Sequence, residues 1–365
     1  MKNLLFISLF AALLVAGCSD PETPEDSGNN PPTEQNPGGN DNGNDPADDP
    51  TDNPTEDPNG SPTEGEDGTL IAKENMGIAF PDPIFRAYVL ENIDTDKDGE
   101  ISAAEAEAVT EIYVGNEWNT PGKITSLEGV QYFINLQYLS CSYNQLTSLD
   151  VSECTALTIL DCRYNQLTSL DLSNNTALIV LNCMENQLTT LDVSKNTALT
   201  GLNCNDNQLT SLNLSNNTAL ETLACGSNQL TSLDVSNNTA LTILDCCNNL
   251  LTSLDMSNNT ALDDLHCEQN QLTTLDVSNN TALIVLNCME NQLTTLDVSN
   301  NTALTYLWCN SNQLTSLDMS KNTAWTQLQC TDNPLEKLYI NKLYIIKAEY
   351  IIWEYPSQTE VVYVD

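Results

Sequence analysis

A chain of 365 residues with 51 acidic against 11 basic side chains carries a formal net charge of −40. A field that negative repels phosphate backbones and anionic lipid surfaces, which excludes nucleic acid as a partner and leaves membrane attachment to something other than surface charge. The excess of Asn, Leu, Thr and Asp calls for a search for internal repeats rather than for two ordinary domains.

Residues 1–17 hold one early Lys2 and an apolar run from Leu4 to Val15, followed by Ala16, Gly17 and Cys18. The run is too short to cross a bilayer as a stable helix and reads as an export signal. Its ending, Leu14-Val15-Ala16-Gly17-Cys18, resembles the lipobox of bacterial lipoproteins. That resemblance implies cleavage before Cys18, lipidation of its thiol and acylation of the new amino terminus; several acyl chains anchor durably where one binds marginally. The alternative is an ordinary signal peptide followed by a chance cysteine. Residues 18–68 are almost entirely Asp, Glu, Asn, Pro, Gly, Thr and Ser. Such a segment buries no core and is expected to be a disordered, self-repelling tether.

Ordered sequence is expected from residue 69, with a helical cap over 69–123. Phe80-Pro81-Asp82-Pro83 is a helix start signal, and Ile84, Phe85, Tyr88, Val89 and Ile93 follow at helical spacing. The helix runs into Asp94-Thr-Asp96-Lys-Asp98-Gly99-Glu100-Ile-Ser102-Ala-Ala-Glu105, which resembles an EF-hand loop at each diagnostic position. Asp94, Asp96 and Asp98 supply side-chain oxygens, Gly99 the turn, Glu100 a carbonyl, Ser102 the position a water often bridges, and Glu105 a bidentate carboxylate. The alternative is a loop that shares the pattern without the ion. One loop, followed only by a short helix over 103–109, lacks the paired hand of a sensor. The expected role is therefore a structural calcium, held with a Kd on the order of 0.1 to 1 mM as in extracellular modules.

From Leu136 a unit L-x-x-L-x-C-x-x-N-x-L-T-x-L-D-V-S-x-N-T-A recurs every 21 residues. Its register runs through Cys141, Cys162, Cys183, Cys204, Cys225, Cys246, Cys267, Cys288, Cys309 and Cys330 without a slip, with an Asn three residues after each, from Asn144 to Asn333. This is a leucine-rich repeat, expected over 124–333. A single unit cannot bury its own Leu row, so stacked units share one apolar interior. The strand around Leu139 and Cys141 should pair in parallel with the next coil about 4.8 Å away. The Asn at the following bend should satisfy backbone groups left unpaired there.

An exported chain with 13 cysteines would ordinarily suggest disulfides. Cysteines in one register of neighbouring parallel strands, however, sit about 4.8 Å apart, beyond the roughly 3.8 Å that a disulfide prefers between Cβ atoms. They read as buried free thiols that narrow the coil; a soft-metal string is disfavoured because ligands in a line do not converge. Cys154, in place of the usual back Asn, and Cys247, expected to face outward, are the thiols expected to react.

The repeat resembles the internalin class of bacterial leucine-rich-repeat proteins, in particular members with 21-residue coils and one Cys per coil. Residues 124–136 look like their opening coil, one residue longer than the coils after it. The resemblance implies partner binding through a concave parallel sheet, behind a helical cap. After Asn333 the period fails, and Leu338, Tyr339, Ile340, Tyr344, Ile351, Val361 and Val362 dominate, which predicts a β-rich cap over 334–365.

Outward positions on the strands include Tyr138, Ile159, Val180, Asp161, Arg163, Asp245, Asp264, His266, Glu268, Tyr306 and Trp308. Aromatics on a repeat face suggest hot spots, so Tyr138, Tyr306, Trp308, His266 and Glu268 are the candidate ligand contacts; scattered surface residues are the alternative. Residues 174–194 are identical to 279–299, which fits either a generic surface or two equal patches for a repetitive ligand. His266 is the sole histidine, and no triad, zinc motif or phosphate loop accompanies it. The chain therefore reads as a binding or adhesion protein rather than an enzyme. It is expected in the outer membrane by its lipid, exposed at the cell surface, with a protein or glycan of a host or neighbouring cell as partner. Alternatives are a structural envelope protein and a carbohydrate-binding module of an uptake system.

Overall fold

The computed structural model describes residues 78–116, 122–342 and 352–365. The expected signal peptide, Cys18 and the acidic tether lie outside the described residues. No helix among those described is long and apolar enough to cross a membrane.

Helix α1 (Pro83–Asn92) starts where the sequence places it because Asp82 caps it, accepting from the backbone N–H of Ile84 at 2.9 Å and of Phe85 at 3.0 Å. Pro83, with φ preset and no N–H to lose, suits the first helical position. The other Asp82 oxygen accepts from the backbone N–H of Thr125 at 2.8 Å and from its hydroxyl at 3.0 Å, so one carboxylate ties cap to opening coil. Burial pushes this carboxyl up, but the bonds from Thr125, Phe85 and Ile84 hold it below the usual carboxylate range. Phe85 and Val89 face inward, and Phe80 lies edge-on to Phe85 at 5.5 Å and stacked on Phe133 at 6.0 Å. Gly129 is needed there, since its φ is 103° and a Cβ would meet the Phe80 ring at 2.5 Å. Helix α2 (Ala103–Ala108) opens with a capping box between Ser102 and Glu105.

The span expected as a helical cap also supplies a strand. β1 (Glu111–Tyr113) pairs in parallel with β2 (Tyr138–Ser140), Ile112 opposite Leu139. From there each coil contributes one three-residue strand: β3 (Ile159–Asp161), β4 (Val180–Asn182), β5 (Gly201–Asn203), β6 (Thr222–Ala224), β7 (Ile243–Asp245), β8 (Asp264–His266), β9 (Val285–Asn287) and β10 (Tyr306–Trp308). β12 (Gln327–Gln329) and β14 (Ile352–Glu354) complete a twelve-stranded parallel sheet among the described residues. From β2 to β12 Leu stays opposite Leu, as with Leu139 and Leu160 or Leu286 and Leu307, while Ile112 and Trp353 take that place in the two edge strands. β11 (Ser316–Met319), β13 (Lys337–Asn341) and β15 (Glu360–Val364) form a second, three-stranded parallel sheet on the last coils. The C-terminal segment is thus β-rich, with β14 prolonging the main sheet. This is a leucine-rich-repeat solenoid with few helices.

Strands are short because each is followed at once by a bend. The residue before every ladder Asn adopts positive φ, from Tyr143 at 55° to Asp332 at 52°. Such a bend strands backbone groups, and the Asn satisfies them. Asn165 donates to the carbonyls of Cys141 and Cys162, each at 3.0 Å, and accepts from the N–H of Leu146 at 3.0 Å. Every such amide therefore bonds its own coil and the one before.

A second Asn column runs along the back of the coils. Asn196 donates to the carbonyls of Leu172 at 3.1 Å and Asn175 at 2.9 Å. Its Oδ1 is buried with no hydrogen-bond partner, as are those of Asn175, Asn217 and Asn301. In the first full coil Cys154 stands in this column and points its thiol at the Val130 carbonyl, 3.4 Å away. The expectation that Cys154 reacts is corrected: it is fully buried, and desolvation pushes its thiol up to about 12. Cys247, expected to face outward and to react, is buried and disulfide-bonded. The ladder cysteines from Cys141 to Cys330 are free and buried, and burial pushes their thiols up as well, to about 12 for Cys204.

Candidate functional site

The loop after α1 folds on its own carboxylates. Asp94 accepts from the N–H of Lys97 at 2.7 Å through one oxygen and of Gly99 at 2.9 Å through the other. Asp98 accepts from the N–H of Glu100 at 2.8 Å. Lys97 and Gly99 both have positive φ, 62° and 87°, so the chain turns tightly enough to bring three carboxylates together. Asp94, Asp96 and Asp98 each place an oxygen within 4.8 Å of the others. An ion with oxygens at about 2.4 Å spans such a separation, so these residues fit calcium. The N–H of Asp98 pulls Asp96 down, but desolvation and the charges of Asp98, Glu105 and Asp94 together leave its carboxyl raised.

Glu105 closes the loop from the far end. It accepts from the hydroxyl of Thr95 at 2.7 Å, its N–H at 2.6 Å, and the N–H and hydroxyl of Ser102 at 3.0 and 2.9 Å. The Thr95 hydroxyl leads these bonds in holding its carboxyl down at about 2.

On the sheet face, β8 presents an ion cluster that the spacing only half revealed. His266 Nε2 lies 3.1 Å from Asp264, and its Nδ1 lies 3.7 Å from Glu268. Burial opposes protonation of this imidazole, but the two carboxylates outweigh it and raise its pKa to about 10. Two coils on, the Trp308 ring has its centroid 6.5 Å from that of His266, with Asn287 of β9 in register with both residues. Tyr306, on the same strand, lies 5.8 Å from Trp308 and is 37% exposed. The structure thus gathers His266, Glu268, Tyr306 and Trp308 at one end of the face. Tyr138 belongs to the other end, stacked on Tyr113 at 4.7 Å.

That other end holds residues that sequence reasoning missed. Tyr143 and Tyr164 stack at 4.2 Å with planes 10° apart, and the Arg163 guanidinium lies 5.7 Å from the Tyr143 ring while its Nε is 3.5 Å from Asp161. Both tyrosines occupy the positive-φ position, where other coils place Glu, Asp, Ser, Asn or Gln. The signal was a bulky ring at a site that disfavours one.

The fold and its two internal ladders define the class: a leucine-rich-repeat solenoid with a cysteine ladder. A family model described as leucine rich repeats (two copies) matches residues 134–176. Among curated proteins none matches the chain. The functional domain of InlJ from Listeria monocytogenes, described as including a cysteine ladder, is similar at 37% identity and a TM-score of 0.72, over 78% of this chain and 62% of that one. This chain therefore spans less than two thirds of that domain's length. A leucine-rich-repeat protein of Leptospira interrogans shares the fold at 22% identity and a TM-score of 0.56, over 70% of this chain and 73% of that one. So does YopM, a leucine-rich effector protein from Yersinia pestis, at 23% and 0.51, over 63% and 66%. Internalin-like leucine-rich-repeat folds commonly mediate protein binding and are generally non-enzymatic scaffolds.

Proposed function

We propose that the chain is a cell-surface binding protein that takes a macromolecular partner on its concave sheet, with the contact centred on Tyr306 and Trp308. The observation that carries this reading is the Tyr306–Trp308–His266 cluster, three rings brought together from two strands. Paired aromatics presenting one apolar face are the residues on which binding energy concentrates. Purified chain applied to host or neighbouring bacterial cells tests it. Tyr306→Ala with Trp308→Ala should reduce cell binding by at least about tenfold, and unchanged binding refutes the reading. Wild-type chain that binds no cell and no glycan would favour the structural envelope role. Binding confined to a glycan array, and lost with Trp308, would favour the carbohydrate-module role.

Calcium at the loop, residues Asp94, Asp96, Asp98, Glu100, Ser102 and Glu105, belongs to the same reading as a brace for the cap. The carboxylate convergence supports it. With millimolar affinity, calcium at about thirty times its Kd adds about 2 kcal/mol to stability. Asp94→Ala with Glu105→Ala should abolish that calcium-dependent increment, whatever it does to the calcium-free melt.

Attachment through Cys18 and exposure at the outer membrane complete the proposal. Cys18→Ala should release the chain from membranes. Protease shaving of intact cells should remove the solenoid; full protection would place it inside the envelope and end the host-binding reading.

A further inference from the structure

We propose that the partner presents a basic polypeptide segment, and that a Lys or Arg side chain of it docks on the Asp264–His266–Glu268 cluster against the faces of Tyr306 and Trp308. The inference rests on the reading of this face as the binding surface and names the chemistry it selects.

Charge balance is the first argument. One imidazolium set between two carboxylates leaves the cluster net negative, so His266 offers no free positive charge to an anionic ligand. Arg163, at the far end of the face, is likewise committed to Asp161 and to the Tyr143 ring. Along the positive-φ positions that border the strands, Glu185, Asp206, Glu290 and Asp332 add acid, and among the described residues none of them sits in an ion pair. An anionic glycan or nucleic acid meets repulsion on this face, whereas a cation is drawn in by the field of the whole chain.

Side-chain shape is the second argument. The Trp308 ring lies with its centroid 6.5 Å from that of His266, so an aromatic surface, of the kind on which a cation can settle, borders the carboxylate cluster. A long basic side chain has what the place asks for: an apolar stem to lie along Tyr306 and Val285, and a charged head for the carboxylates of Asp264, on β8, and Glu268, two residues past it. The strands stand about 4.8 Å apart, so from β8 to β12 the face offers room for an extended segment rather than for one small ion.

A lysine-rich peptide titrated into the full chain tests this, with the same peptide acetylated on its lysines as the uncharged probe. The strong overall charge attracts any cation, so the comparison is between two double variants of equal charge. Asp264→Asn with Glu268→Gln alters the cluster. Asp171→Asn with Asp234→Asn alters outer turns, where each Asp accepts from a Ser N–H as Asn213 does naturally in its own coil. At physiological salt the first pair should weaken binding by about tenfold or more and the second by less than about twofold. Acetylated peptide should bind neither. Gln329→Lys, which sets a competing cation beside Trp308 without removing a contact, decides the matter if the cluster variant melts early; it should weaken binding similarly. Equal losses in both pairs, binding of the acetylated peptide, or no binding to wild-type chain would each overturn the proposal. Loss of cell binding in Trp308→Ala alongside full binding in Asp264→Asn/Glu268→Gln would sink this inference while leaving the binding face intact.

Discussion

Replacing Asn291 and Asn301 by Ala in separate chains should expose a difference between the two Asn columns. Asn291 accepts from the N–H of Leu272 at 2.9 Å and donates to the carbonyls of Cys267 at 3.0 Å and Cys288 at 3.2 Å. Those two carbonyls keep a second donor after the substitution, from Asn270 and Asn312, but the Leu272 N–H loses its acceptor. One stranded buried N–H at about 1 to 3 kcal/mol and two lost bonds at about 0.5 to 1.5 each total about 4 kcal/mol. Asn301 also donates twice, to Val277 at 3.0 Å and Asn280 at 2.8 Å, and those carbonyls accept as well from the N–H groups of Asn280 and Leu283. Its own Oδ1, however, is already buried without a partner, and removing it relieves about 1 to 3 kcal/mol. The lost bonds and the relief roughly cancel there, for a net cost of about 0 kcal/mol. Urea denaturation of full-length chains followed by circular dichroism reads the gap, with a two-step transition expected if the solenoid parts at the altered coil. A cost for Asn301→Ala equal to or above that for Asn291→Ala would refute the reasoning.

The sole histidine makes a second expectation direct: the His266 imidazole signal should titrate near pH 10 rather than 6.5. A raised pKa means that its contribution to stability is complete below pH 6.5 and is lost as pH climbs through about 10. His266→Gln should therefore flatten the pH dependence of Tm in that window. The free cysteines from Cys141 to Cys330, Cys154 included, should resist a thiol reagent at pH 8 and react together once the chain unfolds; early labelling of Cys154 would contradict its burial. Trp325, which fills a Leu column position and lies 6.2 Å from Trp353, should cost about 3 to 5 kcal/mol on replacement by Ala, seen first as loss of the C-terminal strands.

The period of Cys141 to Cys330 was enough to expect parallel strands, the Leu interior, free thiols and the first Asn ladder, because each follows from one residue type recurring on one face. β1 was not legible: three residues, Glu111–Tyr113, belong to no repeat and become a strand only because β2 offers an open edge. The back Asn column was visible as a period, but that its Oδ1 would be stranded depends on which carbonyls the stacked coil brings near. Cys154 was misjudged because departure from a column was equated with exposure, while a small sulfur can be buried in place of the back Asn. In the candidate site, outward positions of β8 and β10 followed from alternation. The approach of Trp308 to His266 across a whole strand did not, since it depends on the short Asn287 between them.

Residues 174–194 and 279–299 are the same 21 residues, five coils apart. A chain lacking residues 174–278 would place Ser173 directly before Asn279, and the coil that follows would meet the neighbour its twin meets in the intact molecule. Each adjacent pair of coils in the shortened chain already exists in the long one, so excision makes no new seam. At about 4.8 Å per coil the reach of the molecule would contract by about 24 Å, with cap and terminal strands unaltered. Length is thereby a property that this chain can change in one step, independently of its stability per coil.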